Sequence, residues 1–212
     1  MELVVLGATG GTGRLVVRQA LDAGHGVTAV VRDPAALRPD GERLRVVTAD
    51  VTDATALAGA VEGRDAVVSA LGPRGRGPTT VCSRGVRAAT AAMSAAGVRR
   101  IVAVSAAPVG PTPPGESLPV RVLVTPLVRR VFANVYKDLA VMEDELRRGD
   151  RDWTVLRPPR LTDRTPATGV YRTARGTGVV RGTSISRADL AHALLAVLQD
   201  PATVGTAIGV AH

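Results

Sequence analysis

Gly7, Gly10 and Gly13 stand in the stretch GATGGTG, directly after the apolar run Leu3 to Leu6 and directly before the helical pattern RLVVRQALDAG. Residues this small let a backbone approach an anion closely, and the free N–H groups and positive end of a following helix then face it. With Thr9, Gly11 and Thr12 between them, the glycines make a candidate cradle for the pyrophosphate of a dinucleotide. An ordinary tight βα turn uses similar glycines. What distinguishes a nucleotide site is context, and here the strand, the glycine turn and the helix start follow one another as that site requires.

Cofactor choice is made at the end of the second strand. A carboxylate there bonds the ribose 2′-hydroxyl of NAD, whereas an arginine accepts the 2′-phosphate of NADP. This chain has Arg32, in VVRDP, and a guanidinium fork suits a phosphate, so NADPH is the expected cofactor. The plainer alternative is a solvated loop arginine. Asp33 would oppose a phosphate only if it pointed inward. Asp50 and Val51 follow the third strand and are placed to flank the adenine, while Ala70, Leu71 and Gly72 follow the fourth and can pass beneath the nicotinamide ribose.

Ser105 lies just past the fifth strand, where it could bond a nicotinamide carboxamide or a substrate carbonyl, or simply cap the strand end. Arg160 and Arg74 could hold an anionic substrate group or the cofactor phosphates, or be surface arginines. Tyr136 and Lys137 suggest the tyrosine and lysine of a dehydrogenase, but that pair needs a lysine four residues on, where Ala140 stands. Neighbours on a helix point about 100° apart, so Tyr136 and Lys137 cannot share a face. The core stripe there is Val135, Leu139, Met142 and Leu146, which leaves Tyr136 on its flank and Lys137 in solvent. Trp153, with Val155 beyond it on one strand face, reads as core first and as substrate platform second. His25, His192 and His212 lack ligand spacing, no Cys/His/carboxylate cluster suggests a metal, and no GxSxG elbow is present.

Short β-branched runs must position these groups: Leu3 to Leu6, Val27 to Val31, Leu44 to Thr48, Ala66 to Ser69, Ile101 to Val104, Trp153 to Leu156 and Thr206 to Val210. They lack strict alternation, as strands of a parallel sheet covered on both faces do. Helical patterns fall between them, from about Gly13 to Ala23, Ala54 to Val61, Thr80 to Ala96, Ala133 to Arg148 and Arg187 to Gln199, the last with a capping box at Ser186 and Asp189. The expected fold class is therefore α/β, a Rossmann-like doubly wound parallel sheet with a small C-terminal substrate-side appendage. Residues 1–212 read as a single NAD(P)-binding domain. Segments 105–133 and 157–183 depart from the alternation, the first carrying a Pro/Gly-rich stretch followed by an apolar helix, the second rich in loops, and both are expected on the substrate side.

The chain has 212 residues, 45% of them hydrophobic, enough to bury one large core. A formal net charge of +8 favours anionic partners, yet Lys137 is the sole lysine, and an arginine bias of that kind also follows from a GC-rich genome. Aromatic residues make up 2%, too few for the stacking platforms of a nucleic-acid binder, so no nucleic-acid partner is expected. No apolar run approaches the roughly 18 residues of a membrane span, the start lacks a secretory pattern, and the lone Cys82 suits a reducing compartment; the expected location is cytoplasmic, with no membrane partner.

Beyond the glycines, VRD at Arg32, DV at Asp50, LGPR and PTTV between Leu71 and Val81, Ser-Ala at Ser105, RPPRLTD from Arg157 and SRADL from Ser186 resemble the atypical short-chain dehydrogenases with an NmrA-like fold, and within them the NADPH-dependent flavin reductases, also called biliverdin-IXβ reductases. The resemblance implies cofactor contacts at Gly7, Thr9, Gly10, Thr12, Gly13, Arg32, Asp50, Val51, Leu71, Gly72, Arg74, Ser105, Pro158 and Pro159. It also implies hydride transfer from NADPH to a flavin, a quinone or a similar conjugated or carbonyl acceptor. Arg160 stands where those reductases have a histidine, and the segment after Pro108 is longer. Two other functions fit the same residues: a non-catalytic NADP(H) sensor, and a biosynthetic ketoreductase or epimerase.

Overall fold

The computed structural model describes residues 1–37, 41–73, 75 and 77–212. Its main sheet has eight strands in the order β3-β2-β1-β4-β5-β6-β10-β8, formed by β1 (Glu2–Leu6), β2 (Gly26–Val31), β3 (Leu44–Thr48), β4 (Ala66–Ser69), β5 (Arg100–Val104), β6 (Asp152–Arg157), β8 (Arg172–Arg175) and β10 (Thr206–Ala211). All neighbours pair in parallel except β8, which runs antiparallel to β10. Two short strands, β7 (Arg160–Thr162) and β9 (Ser184–Ser186), pair beside it.

Both faces are covered, which is why the strands are apolar throughout. Leu3 and Val5 enter one core with α1 (Gly11–Asp22) and α6 (Arg187–Leu198), and Val4 and Leu6 enter the other with α2 (Ala54–Val61), α3 (Val81–Ala96) and α5 (Ala133–Arg148). Along β6, Val155 is fully buried on the α5 side, and Trp153, half-buried, packs against the edge of the same core. The chain crosses over between β1 and β4, and in such sheets ligands bind at the carboxyl ends on either side of that crossover.

Two differences from the sequence reading have physical causes. Helix α1 starts at Gly11 rather than Gly13, because a glycine-only entry leaves no local mark of where winding begins. The segment 157–183, expected to be loop, contains β7 and β8. Each is three or four residues long, and its partner lies far along the chain, Ser184–Ser186 for one and Ile208–Ala211 for the other. Strands specified by distant partners carry little local pattern. The apolar helix expected after Pro119 is present as a π-helical turn (Val120–Val124) running into α4 (Thr125–Val131).

Candidate functional site

At the carboxyl end of β1 the chain turns through Gly7 at φ +76°, and a Cβ there would lie 2.6 Å from the Ala70 carbonyl oxygen. Gly13 is tighter still, since a Cβ would sit 2.1 Å from the Gly7 oxygen. These two glycines thus let α1 descend onto the turn and the turn onto the end of β4. Gly10 N–H donates to Gly7 O at 2.9 Å, and Arg14 bonds Thr9 O and Ala36 O, tying the turn to the loop after β2. No side chain caps α1, and among the described residues the first-turn N–H groups of Gly11, Thr12 and Gly13 have no acceptor. The positive end of a twelve-residue helix with three free donors fits a pyrophosphate. Arg187, at the start of α6, lies over Gly11 and ion-pairs with Asp163, which adds a cation that motif spacing did not single out.

After β2, Arg32 is exposed, and Asp33 accepts from Ala35 N–H at 2.9 Å. Asp50 Oδ1 accepts from Thr52 N–H and Thr52 Oγ1. Those bonds, with Arg84 and Arg32 nearby, hold its carboxyl below the usual carboxylate range. Arg84, on the exposed side of α3, was invisible to strand-end reasoning. Val51 is buried in the core, and Leu71 leans on Gly85 of α3, so both act as walls rather than as polar contacts. Gly72 is exposed; Arg74 lies outside the described residues.

Beyond β5, Ser105 is 5% exposed, and its Oγ donates to Glu143 Oε1 at 2.7 Å. Glu143, 1% exposed on α5, also accepts both Nε (2.9 Å) and Nη2 (2.5 Å) of Arg157 and Nη2 of Arg147. An ionised carboxylate only accepts, so the hydroxyl proton of Ser105 is committed, and Oγ can only accept from a further partner. It suits a carboxamide N–H and cannot at the same time donate to a substrate carbonyl. Glu143 escaped the sequence reading although the signal was present: it lies four residues after Leu139, within the core stripe. Pro158 is buried, its carbonyl accepting from Ala107 N–H at 2.8 Å, and Pro159 is half-buried beside it. Arg160 is exposed on β7.

Tyr136 is half-buried against Phe132 and the core, and burial pushes its hydroxyl pKa up. Lys137 points to solvent. Asp138, the next residue, caps α3 across the interface, accepting from Cys82 N–H (2.9 Å), Ser83 N–H (3.0 Å) and Ser83 Oγ. Burial and then Asp138 push the Cys82 thiol up to about 12, so it is no nucleophile at neutral pH. The segments 105–133 and 157–183 meet at a cavity of about 120 Å³ lined by Pro108, Val120, Arg129, Arg157, Pro159 and Val179. Ligand pockets usually span roughly 300–1,000 Å³, so this cavity is too small to enclose a ring system the size of a flavin. No group of three or more potential metal ligands occurs among the described residues.

The model of one NAD(P)H-binding protein family matches residues 7–201, from the first glycine of the turn to the end of α6 and beyond. The chain belongs to this family. Its cofactor is a nicotinamide dinucleotide. Among solved structures, a candidate exported protein of Burkholderia pseudomallei is 29% identical, with each chain covered over 100% and a TM-score of 0.81. ChuY, an anaerobillin reductase of Escherichia coli O157:H7, is 22% identical (99% and 97% covered, TM-score 0.79). A candidate NADH-flavin reductase of Streptococcus pneumoniae TIGR4 is likewise 22% identical (100% and 99%, 0.79). The last two likenesses show the shared fold. Among the described residues no helix is long and apolar enough to cross a membrane.

Proposed function

We propose that the protein is an NADPH-dependent reductase that passes a hydride to a planar conjugated acceptor, a flavin or a quinone, lying in the open cleft beyond Ser105. The observation that carries this reading is the state of Ser105, Tyr136 and Lys137, the groups the sequence offers as an acid. Ser105 has its proton committed to Glu143, Tyr136 packs against Phe132 and the core, and Lys137 faces solvent. A carbonyl reductase must protonate a developing alkoxide. A flavin or quinone, once reduced, spreads its charge over the ring system and can take its proton from water.

In this reading Gly11, Thr12 and Gly13 hold the pyrophosphate by backbone N–H groups, with Gly7, Thr9 and Gly10 shaping the turn and Arg187 beside it. Arg32 and Arg84 clamp the 2′-phosphate. Asp50 and Val51 border the adenine; Ala70, Leu71 and Gly72 pass beneath the nicotinamide ribose. Ser105 accepts from the carboxamide and so turns the nicotinamide ring, with Pro158 and Pro159 as its wall. The bound nicotinamide supplies two electrons and one proton as hydride. Arg160 steadies an anionic substituent of the acceptor, such as a flavin phosphate. The protein contributes position and electrostatics.

The test is NADPH oxidation followed at its absorbance band with a panel of flavins and quinones, alongside Arg32→Ala/Arg84→Ala. Turnover is expected with a planar acceptor, and the variant raises KM for NADPH at least about tenfold, the effect of losing 1.4 kcal/mol of binding, with little change for NADH. Tight NADPH binding without turnover across the panel would instead identify a sensor. Activity confined to one carbonyl compound would identify a ketoreductase.

A further inference from the structure

The rod from Leu118 to Val131, the π-helical turn and α4, presents two unlike faces. Val120, Thr125 and Arg129 close the cavity described above. Outward stand Leu118, Val122, Leu123 and Leu127, which are 72%, 65%, 68% and 62% exposed, with Val124 and Val131 alongside. Isolated apolar side chains on a surface need no explanation, but a contiguous aliphatic row marks something that docks.

The charges beside this row have one sign. From Ser117 to Lys137 the chain holds Arg121, Arg129, Arg130 and Lys137 and no Asp or Glu. The acids bounding it are engaged elsewhere: Glu116 accepts from Ser117 N–H and Arg181 N–H, and Asp138 is buried as the cap of α3. Arg129 bonds the carbonyls of Pro108 and Gly110 and ties the rod to the body. Arg121 and Arg130 are exposed and form no ion pair among the described residues.

We propose that this face docks on an anionic lipid surface, with the aliphatic row in the headgroup boundary and Arg121 and Arg130 on the lipid phosphates. Aliphatic side chains flanked by arginines without acids are the composition of a helix lying in a bilayer interface. A second copy of this chain fits less well, because a two-fold axis through the patch sets its cations against themselves. A helix that lies on a bilayer needs none of the length of one that crosses it. Docking uses no residue of the cofactor cradle, so it stands or falls apart from the reductase reading.

The experiment is co-sedimentation of the full chain with phosphatidylcholine vesicles, with and without phosphatidylglycerol. It compares the native protein with Leu123→Ser/Leu127→Ser and Arg121→Glu/Arg130→Glu, whose exposed positions leave folding intact, as NADPH binding and circular dichroism verify. Expected are binding to the anionic vesicles that weakens with salt, little binding to phosphatidylcholine alone, and at least about tenfold weaker binding for each double variant. No binding to anionic vesicles at low salt overturns the proposal. So does binding that both variants retain, which would assign it to the basic surface at large. A dimer in solution that Leu123→Ser/Leu127→Ser dissolves, without vesicle binding, assigns the face to a second copy.

Discussion

Glutamine in place of Glu143 keeps the shape of the side chain and removes its charge. Four hydrogen bonds reach this carboxylate, one from Ser105, two from Arg157 and one from Arg147. Arg147 is 41% exposed at its side chain and loses little, since water screens it. Arg157 is 4% exposed, and an amide nitrogen turned toward its guanidinium would set donor against donor. Removing one partner of a buried pair costs about 3–5 kcal/mol, chiefly for the stranded charge. At about 2–4 °C per kcal/mol for a chain of this size, Glu143→Gln should lower Tm by about 6–20 °C. Thermal melts by circular dichroism and urea unfolding measure it. The double variant Glu143→Leu/Arg157→Leu should lose less than the sum of its single variants, because neither leaves a lone buried charge behind. A Tm drop below about 2 °C for Glu143→Gln, or strictly additive losses in the double variant, would refute the assignment of a buried pair.

Gly13→Ala should lower NADPH affinity at least about tenfold in a fluorescence titration, because its Cβ would stand 2.1 Å from Gly7 O and displace the turn; native affinity would show that the turn can yield. Asp138→Ala uncaps α3 and should reduce stability by about 1–2 kcal/mol in urea unfolding. Asp189 sets a pH dependence. Burial opposes its ionisation, but bonds from Ser186, Gly169 and Thr168 outweigh that and hold it at about 2, below its ordinary 3.8. A depressed carboxyl stabilises the fold above pH 4 and ceases to as the pH falls from about 4 through 2, a term of about 2 kcal/mol. The stability gap between the native chain and Asp189→Asn, measured by urea unfolding, should therefore narrow over that range.

The parallel strands and their helices were legible along the chain because each is apolar on its own account. Ala133–Arg148 and Ala54–Val61 have the bounds that periodicity suggests, and the Ser186 half of the expected capping box forms, with Asp189 N–H donating to Ser186 Oγ at 2.9 Å, while the Asp189 carboxylate accepts from Ser186 Oγ, Thr168 and Gly169. The glycine turn was legible too, since close approach of backbone to backbone admits only one residue type. Arg84, Arg187 and Glu143 were not singled out, although each stands beside a residue that was. Their importance comes from elements that meet across the sheet: α3 reaches toward Asp50, α6 lies over Gly11, and α5 passes behind Ser105.

Local pattern by itself thus determined the α/β class, the covered parallel sheet and a dinucleotide turn at the end of β1, because those depend on residue type and spacing within some twenty positions. Only the tertiary structure decided that the Ser105 hydroxyl donates to Glu143, that a buried carboxylate and guanidinium join α5 to β6, and that an aliphatic, acid-free rod faces outward. The direction of a hydrogen bond and the exposure of a face are properties of what packs opposite a residue, and that partner lies tens of residues away along the chain.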